Sequence, residues 1–271
     1  DARIRNVLVR HEQGAAHMAD GYARAGGKVG VAIATSGPGA TNLVTGIATA
    51  MMDSSPVVFI TGQVRSQVIG TDAFQEADIT GVTLPITKHN FLVTRVEDMG
   101  LTLRKAFHVA RSGRPGPVLV DVTKDAQEEQ CEYTRDDSPI ELPGKRPSIV
   151  DSADYEHAAS LLQAAKRPLI LAGRGVMLSH ASEILLEFTT HTQIPVAMTL
   201  LGIGGFPATH PLNLGMGGMH GEAWVNQTIQ EADLILALGM RFDDRLVGNP
   251  EKFALNAKKI HVEIDPTEIN K

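Results

Sequence analysis

The chain has 271 residues, 25 Lys and Arg against 31 Asp and Glu for a net charge of -6, 43% hydrophobic residues and a single cysteine, Cys131. That length accommodates about two domains with a sizeable core each, and the acidic balance with scattered basic residues excludes nucleic acid as a partner. One cysteine, read as a bystander, excludes an internal disulfide framework or a cysteine zinc site, and no apolar run reaches the roughly 18 residues that a membrane span needs.

In chain order, the apolar run Val7-Leu8-Val9 gives way at Arg10-His11-Glu12 to an amphipathic helical pattern that continues to Arg24. Glu12 is therefore expected at a strand-to-helix junction, walled by that run and desolvated enough to share a proton with a bound base. Short apolar, β-branched runs follow at 29–35, 56–61, 117–122, 168–172, 195–199, 234–238 and 259–264, each the pattern of a buried parallel strand. Between them, Ala158, Leu161, Leu162 and Ala165, and again Ile184, Leu185 and Phe188, are spaced for one core-facing helical stripe. Strand and helix alternate throughout, which is the α/β class: two tandem units of mostly parallel sheet flanked by helices. The pattern lapses into charged and turn-forming residues after Asp125, predicting a linker at 126–149 between units at 1–125 and 150–271. Asp1 in place of Met, and Lys271 directly after an apparent strand, predict that both ends are cuts through a longer protein.

Glycine and polar clusters close several of these strands, where open α/β sheets place ligand-contacting residues. Ser36-Gly37-Pro38-Gly39-Ala40-Thr41-Asn42 reads either as a phosphate cradle at a helix N-terminus or as a plain tight turn, and it lacks the Lys-Ser/Thr of a P-loop. Gln63, in Thr61-Gly62-Gln63-Val64, either offers its amide to a carboxylate or carbonyl or is a solvated loop residue. Gly70-Thr71-Asp72-Ala73-Phe74-Gln75-Glu76 suits a pocket wall, and its spacing also fits a helix capping box from Thr71 or Asp72 to Gln75 or Glu76. Arg114 sits in the rigid turn Ser112-Gly113-Arg114-Pro115-Gly116-Pro117 as an anion ligand or a surface residue.

In the second unit Gly173-Arg174-Gly175, Thr199-Leu200-Leu201-Gly202, Gly239-Met240-Arg241-Phe242-Asp243-Asp244-Arg245 and Glu263-Ile264-Asp265 all end proposed strands. Together they describe a nucleotide-sized crevice, in which arginines pair with a diphosphate and a carboxylate accepts from ribose hydroxyls. His220, in Gly217-Gly218-Met219-His220-Gly221, is either a place for a flat ring system against glycine backbone or an ordinary loop residue. The ten histidines fall into no ligand spacing, so no protein-held metal is expected, and no Gly-x-Ser-x-Gly elbow for a nucleophile occurs.

Taken in order, His11-Glu12-Gln13-Gly14-Ala15, the stretch from Thr35 to Asn42, Thr61-Gly62-Gln63-Val64, the stretch from Gly70 to Glu76, Gly113-Arg114-Pro115-Gly116-Pro117, Met219-His220-Gly221 and Arg241-Phe242-Asp243-Asp244-Arg245 resemble the large catalytic subunits of the acetolactate synthase (acetohydroxyacid synthase) family. These are thiamine-diphosphate enzymes, and the resemblance covers the whole chain. It implies a pyrimidine-binding domain at 1–125 lacking its beginning, and a Rossmann-like middle domain at 150–271 carrying FAD. The C-terminal domain, which binds the diphosphate of thiamine diphosphate through Mg2+, is absent. The activity implied is decarboxylating condensation of pyruvate with a second pyruvate or 2-oxobutyrate, giving 2-acetolactate or 2-aceto-2-hydroxybutyrate in branched-chain amino acid biosynthesis.

By the same resemblance Glu12 hydrogen-bonds N1' of the aminopyrimidine and favours its imino tautomer, while Gln63 is a second catalytic residue near the reacting centre. Phe74 and Lys124 line the substrate channel. Arg114, Gly173, Arg174, Gly175, Thr199, Leu200, Met219, His220, Gly239, Arg241, Asp243, Arg245, Glu263, Ile264 and Asp265 surround FAD, which performs no net redox. The diphosphate-holding residues come from a neighbouring subunit in this family, which implies a homodimer or higher assembly with shared active sites, joined by a small regulatory subunit. The implied compartment is the cytoplasm of a bacterium, or the chloroplast or mitochondrion of a eukaryote. Arg65 and Thr123 depart from the Pro or small residue of many relatives, and Arg174 from a common Gly. The alternatives are another thiamine-diphosphate carboligase or pyruvate oxidase, or a non-catalytic nucleotide-binding module. Glyoxylate carboligase is set apart by Glu12, since it carries an apolar residue there.

Overall fold

The computed structural model describes residues 4–140 and 150–271, and divides into two compact units, Asp1–Pro143 and Gly144–Lys271. Each is built on its own parallel sheet, in keeping with the α/β class. The linker expected at 126–149 begins within a short helix, and its residues 141–149 lie outside the described residues.

The first unit runs α1 (Glu12–Gly26), β1 (Gly30–Ala34), α2 (Pro38–Thr41), α3 (Val44–Met52), β2 (Val57–Gln63), α4 (Ile79–Thr83), β3 (His89–Val93), α5 (Val96–Arg111), β4 (Val118–Thr123) and α6 (Lys124–Glu128). Its strands lie in the order β1-β2-β4-β3, all parallel. Side chains alternate across a strand, so the central strands feed two cores. Val57, Phe59 and Leu119 join α1 and α3 on one face, and Val58, Val118 and Val120 join α5 on the other.

Helix α1 is delimited by His11, whose Nδ1 accepts from the Gln13 N–H, and by Gly27 in the left-handed conformation at φ +61°. Its small residues Ala16, Ala19 and Ala23 face the core and let it approach closely. A Cβ on Gly46 of α3 would stand 2.3 Å from that of Ala16, and one on Gly30 would stand 2.1 Å from the Ala19 carbonyl oxygen. This fastening sets Glu12 over the carboxyl edge of the sheet.

The second unit runs α7 (Ser152–Ala164), β5 (Pro168–Ala172), α8 (Arg174–Leu178), α9 (Ser182–Thr192), β6 (Val196–Met198), β7 (Asn213–Met216), α10 (Ala223–Glu231), β8 (Leu234–Leu238), α11 (Asp244–Val247) and β9 (Lys258–Val262). The sheet order is β7-β6-β5-β8-β9, so the chain winds outward from β5 one way and then the other, leaving a switch point between β5 and β8. Leu169, Leu171 and Ile235 pack with α10, whereas Ile170, Val196 and Leu236 pack with α8 and α9. Among the described residues no helix is long and apolar enough to cross a membrane.

The sequence pattern and the structure part in two places. Residues 7–9 form no strand: Leu8 is 98% exposed, and β1, whose outer edge is open, pairs with β2 alone. Conversely β3 and β7 correspond to no apolar run. Both are edge strands bonded on one side only, and β7 contains Gly215 beside a register shift against Val196 and Ala197.

Candidate functional site

Glu12 opens α1, and its Oε2 accepts a 3.0 Å hydrogen bond from Nδ2 of Asn42, the residue that ends α2. Its Oε1 faces Gly39, where an added Cβ would stand 3.5 Å from that oxygen and 2.7 Å from Thr35 Cγ2, so the position beside the carboxylate suits glycine. The Asn42 hydrogen bond, followed by the helix N–H of Glu12 itself, holds the carboxyl below the ordinary glutamate range. The expected apolar wall is therefore corrected. With Val7 and Leu8 exposed, nothing desolvates Glu12 strongly, and it stands as a half-buried, ionised acceptor.

Across the turn formed by residues 36–42 lies the loop 70–78. Gly37 sits at φ +59°, and a Cβ there would lie 2.8 Å from the Gln75 carbonyl oxygen, so the turn and the loop touch through a position that requires glycine. Gln75 and Asp72 also have positive φ, +60° and +58°, a strained state for residues with side chains. Phe74 projects from this loop, 89% exposed. The capping-box reading is corrected here: the Glu76 carboxylate accepts from the Gly70 N–H and, at 2.9 Å, from the Ala73 N–H, closing the loop on itself. Helix α4 is capped instead by Asp78, which accepts from the Gly81 N–H at 2.9 Å.

Gln63 is only 8% exposed, and its amide is engaged inside the protein. Nε2 donates to the Ala77 carbonyl at 2.8 Å and to Asp121 Oδ2 at 2.9 Å, while Oε1 accepts from the Val64 N–H at 2.9 Å. It is not a solvated loop residue, and both amide hydrogens are taken. Asp121, opposite Thr61 in the β2–β4 register, also accepts from Thr61 Oγ1 at 2.7 Å, and burial pushes its pKa up to about 6. Lys124 opens α6 at the same edge, exposed, with Nζ 3.7 Å from Glu128 Oε1. Next to it Asp125 accepts from Ser66, which holds that carboxyl far below its usual range. Arg114 lies apart, at the opposite edge ahead of β4, with Nε donating to Ser54 Oγ at 2.8 Å.

The structure thus brings Glu12, Gln63, Phe74 and Lys124 to one edge and leaves Arg114 off it. It gives Asn42 and Gln75, present in the motifs but with no such role assigned there, a part in the site, and it adds Asp121. The positive φ of Gln75 has no signature in a non-glycine residue, and Asp121 lies inside an otherwise apolar run.

In the second unit the singled-out residues all follow strands at the carboxyl edge: Gly173, Arg174 and Gly175 after β5, Thr199 and Leu200 after β6, Met219 and His220 after β7, Gly239, Arg241, Asp243 and Arg245 after β8, and Glu263, Ile264 and Asp265 after β9. At the switch point Gly173, Gly175 and Gly239 pack backbone to backbone. A Cβ on Gly175 would stand 2.5 Å from Gly239 Cα, and one on Gly173 2.3 Å from the Gly239 carbonyl oxygen. Their N–H groups donate to the carbonyls of Leu238, Gly239 and Val262, so these glycines draw the loops together.

Several polar groups are likewise occupied by the backbone. Asp243 caps α11, Thr199 Oγ1 accepts from the Gly202 N–H, and Glu263 accepts from the N–H groups of Ile264 and Asp265. Asn226 of α10, another residue without a motif signal, holds Gly218 through both ends of its amide at 2.8 and 2.9 Å, and so fixes the loop carrying Met219 and His220. What the edge presents to solvent is apolar surface from Leu200, Met219 and Ile264, with His220 and the Arg245 guanidinium beside Met219.

Two family models match the chain. The N-terminal TPP binding domain of thiamine pyrophosphate enzymes matches residues 1–82, and the central domain of thiamine pyrophosphate enzymes matches residues 155–271. Over 270 residues the chain is 53% identical to the acetolactate synthase large subunit of Corynebacterium glutamicum, covering 99% of the chain and 43% of that protein. It is 54% identical to the acetolactate synthase of Mycobacterium bovis and covers 44% of it. With the acetolactate synthase large subunit of Porphyra purpurea the identity is 51%, covering 46%. The chain spans less than half the length of these curated relatives.

Proposed function

The chain belongs to the thiamine pyrophosphate enzymes, and from that membership we propose that the complete enzyme is an acetolactate synthase. It condenses pyruvate with a second pyruvate or 2-oxobutyrate, with release of CO2. The relatives that share about half of its residues carry that name. The observation that carries the reading is the Glu12 carboxylate at the start of α1, tied at one oxygen by Asn42, with the other facing Gly39.

The donor set fits the aminopyrimidine end of thiamine diphosphate. An ionised carboxylate at a helix N-terminus is the acceptor that a ring N–H needs, and the helix dipole favours its charge. Bound there, the cofactor supplies the carbanion stabilisation that decarboxylation and carbon–carbon bond formation require. Glu12 holds the ring proton at Oε1, and Asn42 fixes the rotation of the carboxylate by occupying Oε2. Phe74 covers the approach from solvent, and the Lys124 ammonium attracts the carboxylate of the 2-oxo acid toward the edge. Gln63 acts from beneath, with its amide held in the protein.

The second unit fits FAD, since exposed apolar side chains and arginines flank a parallel-sheet switch point. There Leu200, Met219 and Ile264 offer the apolar face, and Arg174, Arg241 and Arg245 the cations for a diphosphate. The flavin role of Arg114 rests on family resemblance alone. Mg2+ and the diphosphate of thiamine diphosphate are assigned to sequence outside this chain, supplied by a second subunit in a homodimer or larger assembly, with a small regulatory subunit as a further partner.

The test is acetolactate formation from pyruvate by the holoenzyme with thiamine diphosphate, Mg2+ and FAD. Glu12→Gln, which keeps the shape but removes the negative charge, is expected to lower kcat by about 10²- to 10⁴-fold. Turnover like that of the unaltered enzyme would overturn the assignment of Glu12. A purified holoenzyme with no flavin absorption band, and none after incubation with FAD, would overturn the assignment of the second unit.

A further inference from the structure

Gln63 and Asp121 have a geometry that neither substrate contact nor ordinary core packing explains. Asp121 is 1% exposed in the middle of a strand whose neighbours are valines, and a buried carboxylate is costly unless its oxygens are satisfied. Both are satisfied, by the Thr61 hydroxyl and the Gln63 amide. Residues 61 and 63 point to the same face of β2 as Asp121 does from the adjacent β4, because the register pairs Thr61 with Asp121 and the side-chain period is two. The second hydrogen of the Gln63 amide leaves the sheet and reaches the Ala77 carbonyl. Two residues before Ala77 is Gln75, whose backbone lies against Gly37, and the turn begun by Gly37 ends at Asn42, the residue holding Glu12.

We propose that Asp121 and Gln63 form a positioning relay: the sheet, through these two side chains, holds the loop 70–78 against the turn 36–42 and so sets Phe74 over the Glu12 site. Asp121 orients the Gln63 amide by accepting one of its hydrogens, which aims the other at Ala77. The loop itself is mostly exposed, and the chain is next seated in the core at Ile79 of α4. The loop's internal bonds, Glu76 to Gly70 and Ala73 and Thr71 to Val68, close it upon itself without anchoring it. Both residues are positioning residues. The relay rests on the proposed function for its catalytic consequence, while the tether itself does not.

The experiment uses the holoenzyme and compares Gln63→Met, Asp121→Val and Asp121→Asn with the unaltered protein by peptide-resolved hydrogen exchange and by kinetics with pyruvate. Met matches the length of Gln and cannot bond Ala77, so the amides of residues 71–78 are expected to exchange at least about tenfold faster while those of β2 and β4 stay protected. Asp121→Val gives the same local loss. Asp121→Asn restores protection, because its amide oxygen still accepts from Gln63 while its NH2 donates to Thr61. In Gln63→Met the KM for pyruvate is expected to rise about tenfold with kcat changed less, the reverse of Glu12→Gln.

Unchanged exchange at 71–78 in Gln63→Met would overturn the relay, as would Asp121→Asn behaving like Asp121→Val. If Asp121→Val fails to fold, Gln63→Met decides alone. An unaltered holoenzyme that makes no acetolactate would remove the proposed function, and the exchange comparison would still decide the tether.

Discussion

A carboxylic acid with almost no exposure, held between a hydroxyl and an amide, ionises against its surroundings. Burial of Asp121 outweighs the hydrogen bonds from Thr61 and Gln63, Asp78 adds repulsion, and the pKa rises from 3.8 to about 6. The folded state therefore binds the proton more tightly than the unfolded chain, so the stability it confers is complete below about pH 4 and is lost as pH rises through about 6. The full change is about 3 kcal/mol. Asp121→Asn cannot titrate, so its stability relative to the unaltered protein should improve by up to about that amount between pH 4 and pH 7, read from urea unfolding at each pH. A difference that stays constant across that window would show that Asp121 titrates as in an open chain. Glu12 shifts the other way at the same edge of the sheet, lowered by Asn42. The motif around Glu12 was legible because a turn, a helix start and a carboxylate coincide. The directions of the two shifts were not, because each depends on a partner distant in sequence: residue 42 for Glu12, residues 61 and 63 for Asp121.

Elements were legible in the sequence wherever burial was two-sided. The runs that became β2, β4, β5 and β8 are central strands covered by helices on both faces, and their valines and leucines say so. Edge strands β3 and β7 carry no apolar run and owe their existence to one neighbour's hydrogen bonds, whereas the edge strands β1 and β9 were legible from their own apolar residues, and the apolar run 7–9 forms no strand. Helix α1 depends on contacts of the same hidden kind. Propensity alone says that Gly46→Ala in α3 should stabilise the protein by up to about 1 kcal/mol. The new methyl would instead meet the Ala16 methyl far inside contact distance, and overpacking of this sort costs about 1–3 kcal/mol. The expected outcome is destabilisation with Glu12 displaced, and recovery in the double variant Gly46→Ala with Ala16→Gly, measured as a double-mutant cycle in urea. Stabilisation by Gly46→Ala alone would mean that α1 is less tightly seated than its contacts indicate.

At the scale of the whole molecule, each sheet carries its own pair of cores. Val57, Phe59 and Leu119 on one face and Val58, Val118 and Val120 on the other belong to the first unit, and the second has its own two clusters around Leu171 and Ile170. Among the described residues no core cluster draws members from both units, so each sheet can satisfy its apolar surface alone, which is the condition for a cooperative folding unit. Ile235 is fully buried in the second unit, and truncation to Ala should cost about 2–5 kcal/mol there. Peptide-resolved hydrogen exchange on Ile235→Ala is expected to show faster opening of β5 and β8 with β2 and β4 unchanged. Phe59→Ala is expected to show the converse. Loss of protection in both sheets from either substitution would mean that the two units unfold as one. In that case the strain in the loop 70–78 and the packing of the glycines at the β5–β8 switch point would be supported by a shared reserve of stability, and substitutions at one site would weaken the other.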